Sequence, residues 1–131
     1  MTSIGEKLQH ADWKSEKHVP AIECPDTVKA GELFTVNVSV GKDIPHPNTV
    51  EHHISWISVY FLPDEAKNPY EVGTFTFAGH GQSAAGPNQG PVHCEPNVTA
   101  RLKLTQSGTL YVLELCNIHG LWENSQRITV S

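Results

Sequence analysis

The sequence predicts an all-β domain, and three observations carry that prediction. Apolar residues alternate with small polar ones in several runs, most clearly in residues 34–40 (FTVNVSV), and this period of two is typical of a half-buried strand. Turn signals such as Ala30-Gly31 and Pro63-Asp64 separate the runs. The one helical candidate, residues 4–13, has weak apolar spacing. About seven short strands in roughly 100 residues therefore predict an immunoglobulin-like antiparallel β-sandwich.

The remaining strand candidates follow in chain order: residues 54–62, 70–77, 101–104, 110–115 and 127–130. Residues 54–62 and 110–115 are the most apolar and predict central strands. Gly73 interrupts its run, which predicts one strand with a bulge at the glycine. Residues 106–109 join two runs so closely that we expect a hairpin there. Residues 79–93 hold four glycines and predict a flexible surface loop or a subunit contact.

Size and charge exclude several classes of protein. The chain has 131 residues, with 9 Lys+Arg against 14 Asp+Glu and a formal net charge of −5. That length predicts a single domain over residues 1–131. The acidic balance argues against nucleic-acid binding, which usually needs a basic face. No apolar run reaches the roughly 18 residues that a membrane span requires, so no membrane partner is expected.

The cysteines and the first residues predict a cytoplasmic protein. Cys24, Cys94 and Cys116 are odd in number and form no C-x-x-C pair, so we expect no disulfide framework. Residues 1–10 lack the apolar stretch of a secretory signal. Cys24 and Cys94 are expected to be buried free thiols. Cys116 differs from them, because His119 follows three residues later.

Eight histidines in 131 residues are the unusual feature of the composition. Most lie in four polar segments at predicted strand ends: residues 16–20 (EKHVP), 44–48 (IPHPN), 51–54 (EHHI) and 116–120 (CNIHG). A sandwich gathers its loops at two ends, so these segments could meet at one end. Imidazole, thiolate and carboxylate groups suit a first-row transition metal, whereas Ca²⁺ and Mg²⁺ prefer oxygen ligands alone.

The residue types also bear on which metal is bound. Structural zinc usually takes more than one cysteine. A blue-copper site takes two histidines, a cysteine and commonly an axial methionine, and Met1 is the only methionine here. A histidine-rich site with one thiolate favours iron. Two alternatives stay open from the residues alone: a cupredoxin-like electron-transfer protein, and an immunoglobulin-like binding module whose histidines are incidental.

The motifs resemble the three signatures of superoxide reductase. They are residues 16–20, residues 46–53 with HPN followed by EHH, and residues 116–123 (CNIHGLWE). The resemblance runs over nearly the whole chain in the family's order and spacing. The four-cysteine desulforedoxin module is absent, so the chain resembles the one-iron neelaredoxin type of the desulfoferrodoxin family.

The resemblance implies one mononuclear iron per chain that alternates between Fe²⁺ and Fe³⁺. The implied ligands are four equatorial imidazoles and an axial thiolate, in chain order His18, His46, His52, Cys116 and His119. In the family the glutamate of the E-K-H-V-P motif, here Glu16, can occupy the sixth position in the resting ferric state. His53 is expected beside the ligands. The histidines that match no motif, expected at the surface, are His10, His80 and His93.

The implied activity is the one-electron reduction of superoxide to hydrogen peroxide, with an external donor returning the iron to the ferrous state. The family suggests rubredoxin as that donor and a homotetramer as the assembly. A chain of net charge −5 repels an anion at long range, so local positive charge must attract it. Lys17 is the candidate for that role, because it lies between Glu16 and His18.

Overall fold

Two β-sheets make up the fold in the computed structural model, which describes residues 2–131. The strands are β1 (Ala21–Glu23), β2 (Thr27–Val28), β3 (Phe34–Ser39), β4 (Ile54–Pro63), β5 (Tyr70–Thr76), β6 (Asn97–Leu102), β7 (Gly108–Cys116) and β8 (Gly120–Val130). One sheet has the order β1-β3-β6 and the other the order β2-β8-β7-β4-β5. All pairs are antiparallel except β2 with β8, which is parallel. The predicted all-β sandwich is confirmed.

The core lies between the sheets and follows from the alternating sequence. Along β7, inward residues are buried and their neighbours are half-buried, because successive side chains of a strand point to opposite faces. Ile57 of β4, Leu110 of β7 and Ile128 of β8 are fully buried. They meet Val36 and Val38 from the other sheet in one apolar cluster. Burying each such side chain contributes roughly 1.5–3 kcal/mol.

Two local predictions were wrong and one was confirmed. Residues 106–109 form no hairpin, because β6 and β7 belong to different sheets. The predicted helix is limited to a 3₁₀ turn at Ile4–Lys7. The bulge is present: β4 pairs Val59 with Gly73 but Tyr60 with Glu71, which leaves one extra residue on β5. Within residues 2–131 no helix is long and apolar enough to cross a membrane.

Three chain segments meet at one end of the five-stranded sheet. Ile54, at the start of β4, is paired with Cys116, at the end of β7. The N-terminal segment reaches the same end, because Gln9 bridges to Trp122 at the start of β8. The Gln9 side chain also donates a hydrogen bond to the His119 carbonyl (2.8 Å). This end therefore gathers the segments that carry the histidine motifs.

Candidate metal centre

The β7–β8 hairpin supplies a thiol and an imidazole to this end of the sandwich. Cys116 is paired with Gly120, and a three-residue turn that includes His119 separates them. Gly120 closes the turn with φ +83°, a conformation that glycine adopts without a Cβ clash. The His119 amide donates to Cys116 Sγ (3.4 Å), and His119 Nδ1 lies 3.7 Å from the same sulfur. The hairpin thus places the Cys116 sulfur and the His119 imidazole next to each other.

His18 enters the centre from the N-terminal segment. Its Nε2 lies 3.2 Å from His119 Nδ1. On the other side of the ring, Glu16 Oε1 accepts hydrogen bonds from His18 Nδ1 (2.6 Å) and from its amide (2.8 Å). The Trp122 ring stacks on the imidazole, with centroids 4.9 Å apart and planes 13° from parallel. These contacts fix the ring so that Nε2 faces the other donors.

The loop before β4 carries the two remaining imidazoles of the motifs. His46 Nδ1 donates to the Pro47 carbonyl (2.7 Å). The Nε2 atoms of His46 and His52 are both buried without a hydrogen-bond partner. The two rings lie 4.7 Å apart between centroids. Gly41 backs this loop, since a Cβ there would stand 2.7 Å from the His46 amide nitrogen.

The donor atoms fit a transition metal. One ligand atom from each of four residues lies within 4.8 Å of the others, and these residues are His18, His52, Cys116 and His119. His46 falls outside that group but packs against it, with its ring centroid 4.9 Å from that of His18. An unpaired buried polar atom costs about 1–3 kcal/mol, and a metal ion would satisfy both orphaned Nε2 atoms. Four nitrogens and one sulfur suit iron better than Mg²⁺ or Ca²⁺.

Burial keeps three of these imidazoles, those of His18, His46 and His52, in the neutral form that binds metals. Burial lowers the pKa of His46 to about 4, although the bond to the Pro47 carbonyl opposes the shift. Burial also lowers the pKa values of His18 and His52. The Lys17 charge adds to the lowering in all three cases. Neutral rings are available as ligands near pH 7 because the charged form is disfavoured.

Comparison with known proteins agrees with this geometry. Residues 10–125 match the family model described as desulfoferrodoxin. The chain is 55% identical over 123 residues to neelaredoxin from Megalodesulfovibrio gigas, an alignment that covers 94% of this chain and 95% of that protein. The chain belongs to the desulfoferrodoxin family.

Other members of the desulfoferrodoxin family match over similar lengths. The superoxide reductase of Pyrococcus furiosus is 52% identical over 121 residues, which cover 92% of this chain and 95% of that protein. The structure of superoxide reductase (neelaredoxin) from Archaeoglobus fulgidus in the reduced form superposes with a TM-score of 0.86. It shares 48% identity and covers 93% of this chain and 98% of that one.

Two further motif residues of this desulfoferrodoxin chain lie beside the donors. Burial raises the pKa of Glu16, but its bonds to His18 and the charges of His18 and Lys17 outweigh burial and leave the pKa below its usual value. Lys17 is half-buried and close enough to act on the three imidazoles named above. Glu16 contacts the ring of His18 on the side away from the other donors, which motif spacing does not predict.

The histidines outside the donor set divide between surface and interior. His10 and His93 are exposed, as predicted. The prediction for His80 was wrong: it is 6% exposed, and its ring stacks on that of His53. His53 lies beside the donors, with Nδ1 donating to the Thr49 carbonyl (2.8 Å). Glycines around His80 had suggested a surface loop, and no periodic pattern marked the histidine as buried.

Glu114 is a buried carboxyl that the motifs did not indicate. It is fully buried on β7, and both of its oxygens lack partners. Burial raises its pKa to about 9, and the Glu16 charge adds to the shift. Trp122, its pairing partner on β8, also has an unpaired indole nitrogen. The alternation of β7 could have revealed Glu114, since it falls on the inward face between Val112 and Cys116.

Proposed function

We propose that this chain is a superoxide reductase that converts superoxide to hydrogen peroxide in a one-electron step at a mononuclear iron. One observation carries the proposal: two buried, unpartnered imidazole nitrogens, of His46 and His52, adjoin two more imidazoles and a thiol. Family membership supports the same activity, because relatives at 45–55% identity include neelaredoxin and superoxide reductases.

The proposed iron ligands are His18, His46, His52, Cys116 and His119. Iron bound by this set would supply the electron and an open position for a small anion. The exposed side of the centre favours entry of such an anion, because His119 is exposed and His52 is half-buried, whereas His18 and Cys116 are buried. Trp122 covers the opposite side by stacking on His18.

Three groups of the chain assist the reaction. Lys17 attracts the superoxide anion, since its charge already acts on the neighbouring imidazoles. The His119 amide, through its bond to Cys116 Sγ, withdraws electron density from the sulfur and tunes the potential of the centre. Glu16 orients His18 through the Nδ1 bond. Protons for hydrogen peroxide come from solvent at the exposed side.

Glu16 has a second proposed role, in which its carboxylate would also bind the iron in the ferric state. Its carboxylate is bonded to His18 Nδ1 and to the His18 amide, so it must leave those bonds before it binds the metal. Its side chain is 30% exposed, so water would take over the bonds to His18 when the carboxylate moves.

Further proposals rest on the family resemblance of the motifs. Rubredoxin would be the electron donor, the assembly would be a homotetramer, and the chain would act in the cytoplasm as a single domain. Mixing the oxidised protein with reduced rubredoxin under anaerobic conditions tests the donor. Light scattering coupled to size-exclusion chromatography tests the tetramer, and a monomer in that measurement would contradict it.

Metal analysis, the visible spectrum and stopped-flow mixing with superoxide test the proposed function together. We expect about one iron per chain, a thiolate-to-ferric charge-transfer band in the oxidised protein, and net formation of hydrogen peroxide. Dioxygen released in an amount equal to the hydrogen peroxide formed would indicate dismutation and would contradict a reductase. Copper with an intense blue band would restore the cupredoxin-like alternative, which the superoxide reductase relatives do not favour. A colourless, metal-free protein would indicate a binding module.

A further inference from the structure

A buried histidine that belongs to no motif contacts the loop that carries two proposed ligands. The ring of His80 lies 3.6 Å from that of His53 between centroids, with planes 8° from parallel. Its Nδ1 is 3.0 Å from Asn48 Oδ1, and its Nε2 donates to the Phe77 carbonyl (2.7 Å). Asn48 follows His46 by two residues and His53 follows His52 directly. His80 thus contacts the loop beside each of its two imidazole donors.

The segment around His80 is held in place on its own side. Cys94 donates from its amide to the Gly79 carbonyl (2.7 Å), and Gly81 donates to the Val92 carbonyl (2.9 Å). The His80 amide donates to Gln82 Oε1 (2.7 Å). Residues 79–94 therefore form a tied loop, which we name the backing loop, and not a flexible excursion.

The backing loop contacts the ligand loop, residues 46–53, at two further points. The Asn48 side-chain amide donates to the Cys94 carbonyl (2.9 Å), which orients the Asn48 oxygen toward His80. Asn88 Oδ1 accepts from the Val50 amide (2.8 Å), and the Asn88 side-chain amide donates to the Glu51 carboxylate (2.9 Å). The backing loop thus contacts the ligand loop at four residues, Asn48, Val50, Glu51 and His53.

We propose that His80 is a positioning residue that fixes the ligand loop, and with it His46 and His52, for iron binding. The inference rests on the proposed iron site. A ring protonated at both nitrogens satisfies both oxygens, and a neutral ring protonated at Nε2 keeps the Phe77 bond and the stack on His53. Groups that orient ligands in this way commonly change metal affinity by about 10–100-fold when removed.

His80→Phe is the main test variant, because phenylalanine keeps a flat ring against His53 but loses both polar contacts. We expect iron release to a chelator to accelerate by about tenfold or more, and the charge-transfer band to shift. His80→Gln can place a donor near the Phe77 carbonyl, so it should release iron more slowly than His80→Phe but faster than wild type. His93→Gln is the matched control, since His93 is exposed and lies in the same loop; it should release iron at the wild-type rate.

The outcomes separate this inference from the proposed function. If wild-type protein binds no iron, the proposed function fails. If it binds iron and His80→Phe, still folded by circular dichroism, matches wild type in release rate and spectrum, the positioning role is overturned. Should His80→Phe not fold, His80→Gln takes its place, because glutamine lacks the flat ring that stacks on His53. Cobalt-substituted His80→Gln with the visible ligand-field bands of the wild type would then contradict the role.

Discussion

Glu16 Oε1 lies 2.6 Å from His18 Nδ1, so the carboxylate holds the nitrogen of the ring that is turned away from the other donors. A carboxylate on the second nitrogen of a metal-binding imidazole fixes both its orientation and its tautomer. The E-K-H-V-P motif therefore combines a donor with the group that orients it.

Replacing Glu16 should loosen the metal through His18. We expect Glu16→Ala to release iron to a chelator about tenfold faster than wild type, because the ring loses its fixed orientation. Glu16→Gln keeps an oxygen acceptor for Nδ1 and should show a smaller increase. Timed chelator assays on the iron-loaded proteins measure this. Equal rates for Glu16→Ala and wild type would rule out an orienting role.

Replacing Lys17 should slow the arrival of superoxide. We expect Lys17→Ala to reduce the second-order rate by roughly threefold to tenfold, and to weaken its dependence on ionic strength, because local positive charge is lost. Lys17→Arg keeps the charge and should stay near the wild-type rate. Lys29→Ala makes the same charge change at the other end of the sandwich, beside β2, and serves as control. Stopped-flow rates with superoxide at several salt concentrations test this prediction. If the rate of Lys17→Ala depended on salt as that of wild type does, Lys17 would have no role in attracting superoxide.

Replacing Cys116 should remove the spectral signature of the centre. Cys116→Ser lacks the thiolate, so the thiolate-to-ferric band should disappear and iron should bind more weakly. Cys24→Ser is the control, because Cys24 is a half-buried free thiol of the apolar cluster outside the donor set. Visible spectra of the oxidised proteins test both variants. A band that persists in Cys116→Ser would assign the thiolate to another residue.

Glu114 should make the stability of the fold depend on pH. Its pKa is raised to about 9 in the folded chain from the usual 4.5, so between those values only the unfolded chain releases the proton. Wild-type stability therefore falls as pH rises, while Glu114→Gln has no proton to lose. The stability advantage of Glu114→Gln should grow by up to about 1.4 kcal/mol per pH unit. Urea unfolding of both proteins at pH 6 and pH 8 measures this difference in the free energy of unfolding. A difference that is the same at both pH values would show that the Glu114 carboxyl is not held neutral.

Gly120 should matter both to stability and to the centre. Its φ of +83° strains any residue with a Cβ, so Gly120→Ala should cost about 1–2 kcal/mol. Gly31, with φ +75° and open space where a Cβ would stand, should show a similar cost as Gly31→Ala. Only Gly120→Ala should shift the charge-transfer band, because Gly120 closes the Cys116–His119 turn. Thermal unfolding and visible spectra distinguish these effects, and a band shift in both variants would contradict the local explanation.

Local patterns predicted the positions of the strands better than the pairing between strands. The alternation of residues 34–40 and the apolar run of 110–115 correspond to β3 and β7, because alternation reports which face of a strand is buried. Alternation does not indicate which other strand pairs with a given strand. Residues 106–109 were short enough for a hairpin, yet the chain crosses there from one sheet to the other.

The sequence by itself determined the sandwich class and the residues with donor chemistry, since periodicity and side-chain type are local properties. Only the tertiary structure decided which nitrogen of each imidazole faces the donors, and it did so through long-range contacts such as Trp122 on His18. The burial of His80 and Glu114 was likewise decided by packing, His80 against His53 and Glu114 within the core face of β7. Burial depends on what the rest of the chain places over a residue, and that information is not contained in its neighbours in sequence.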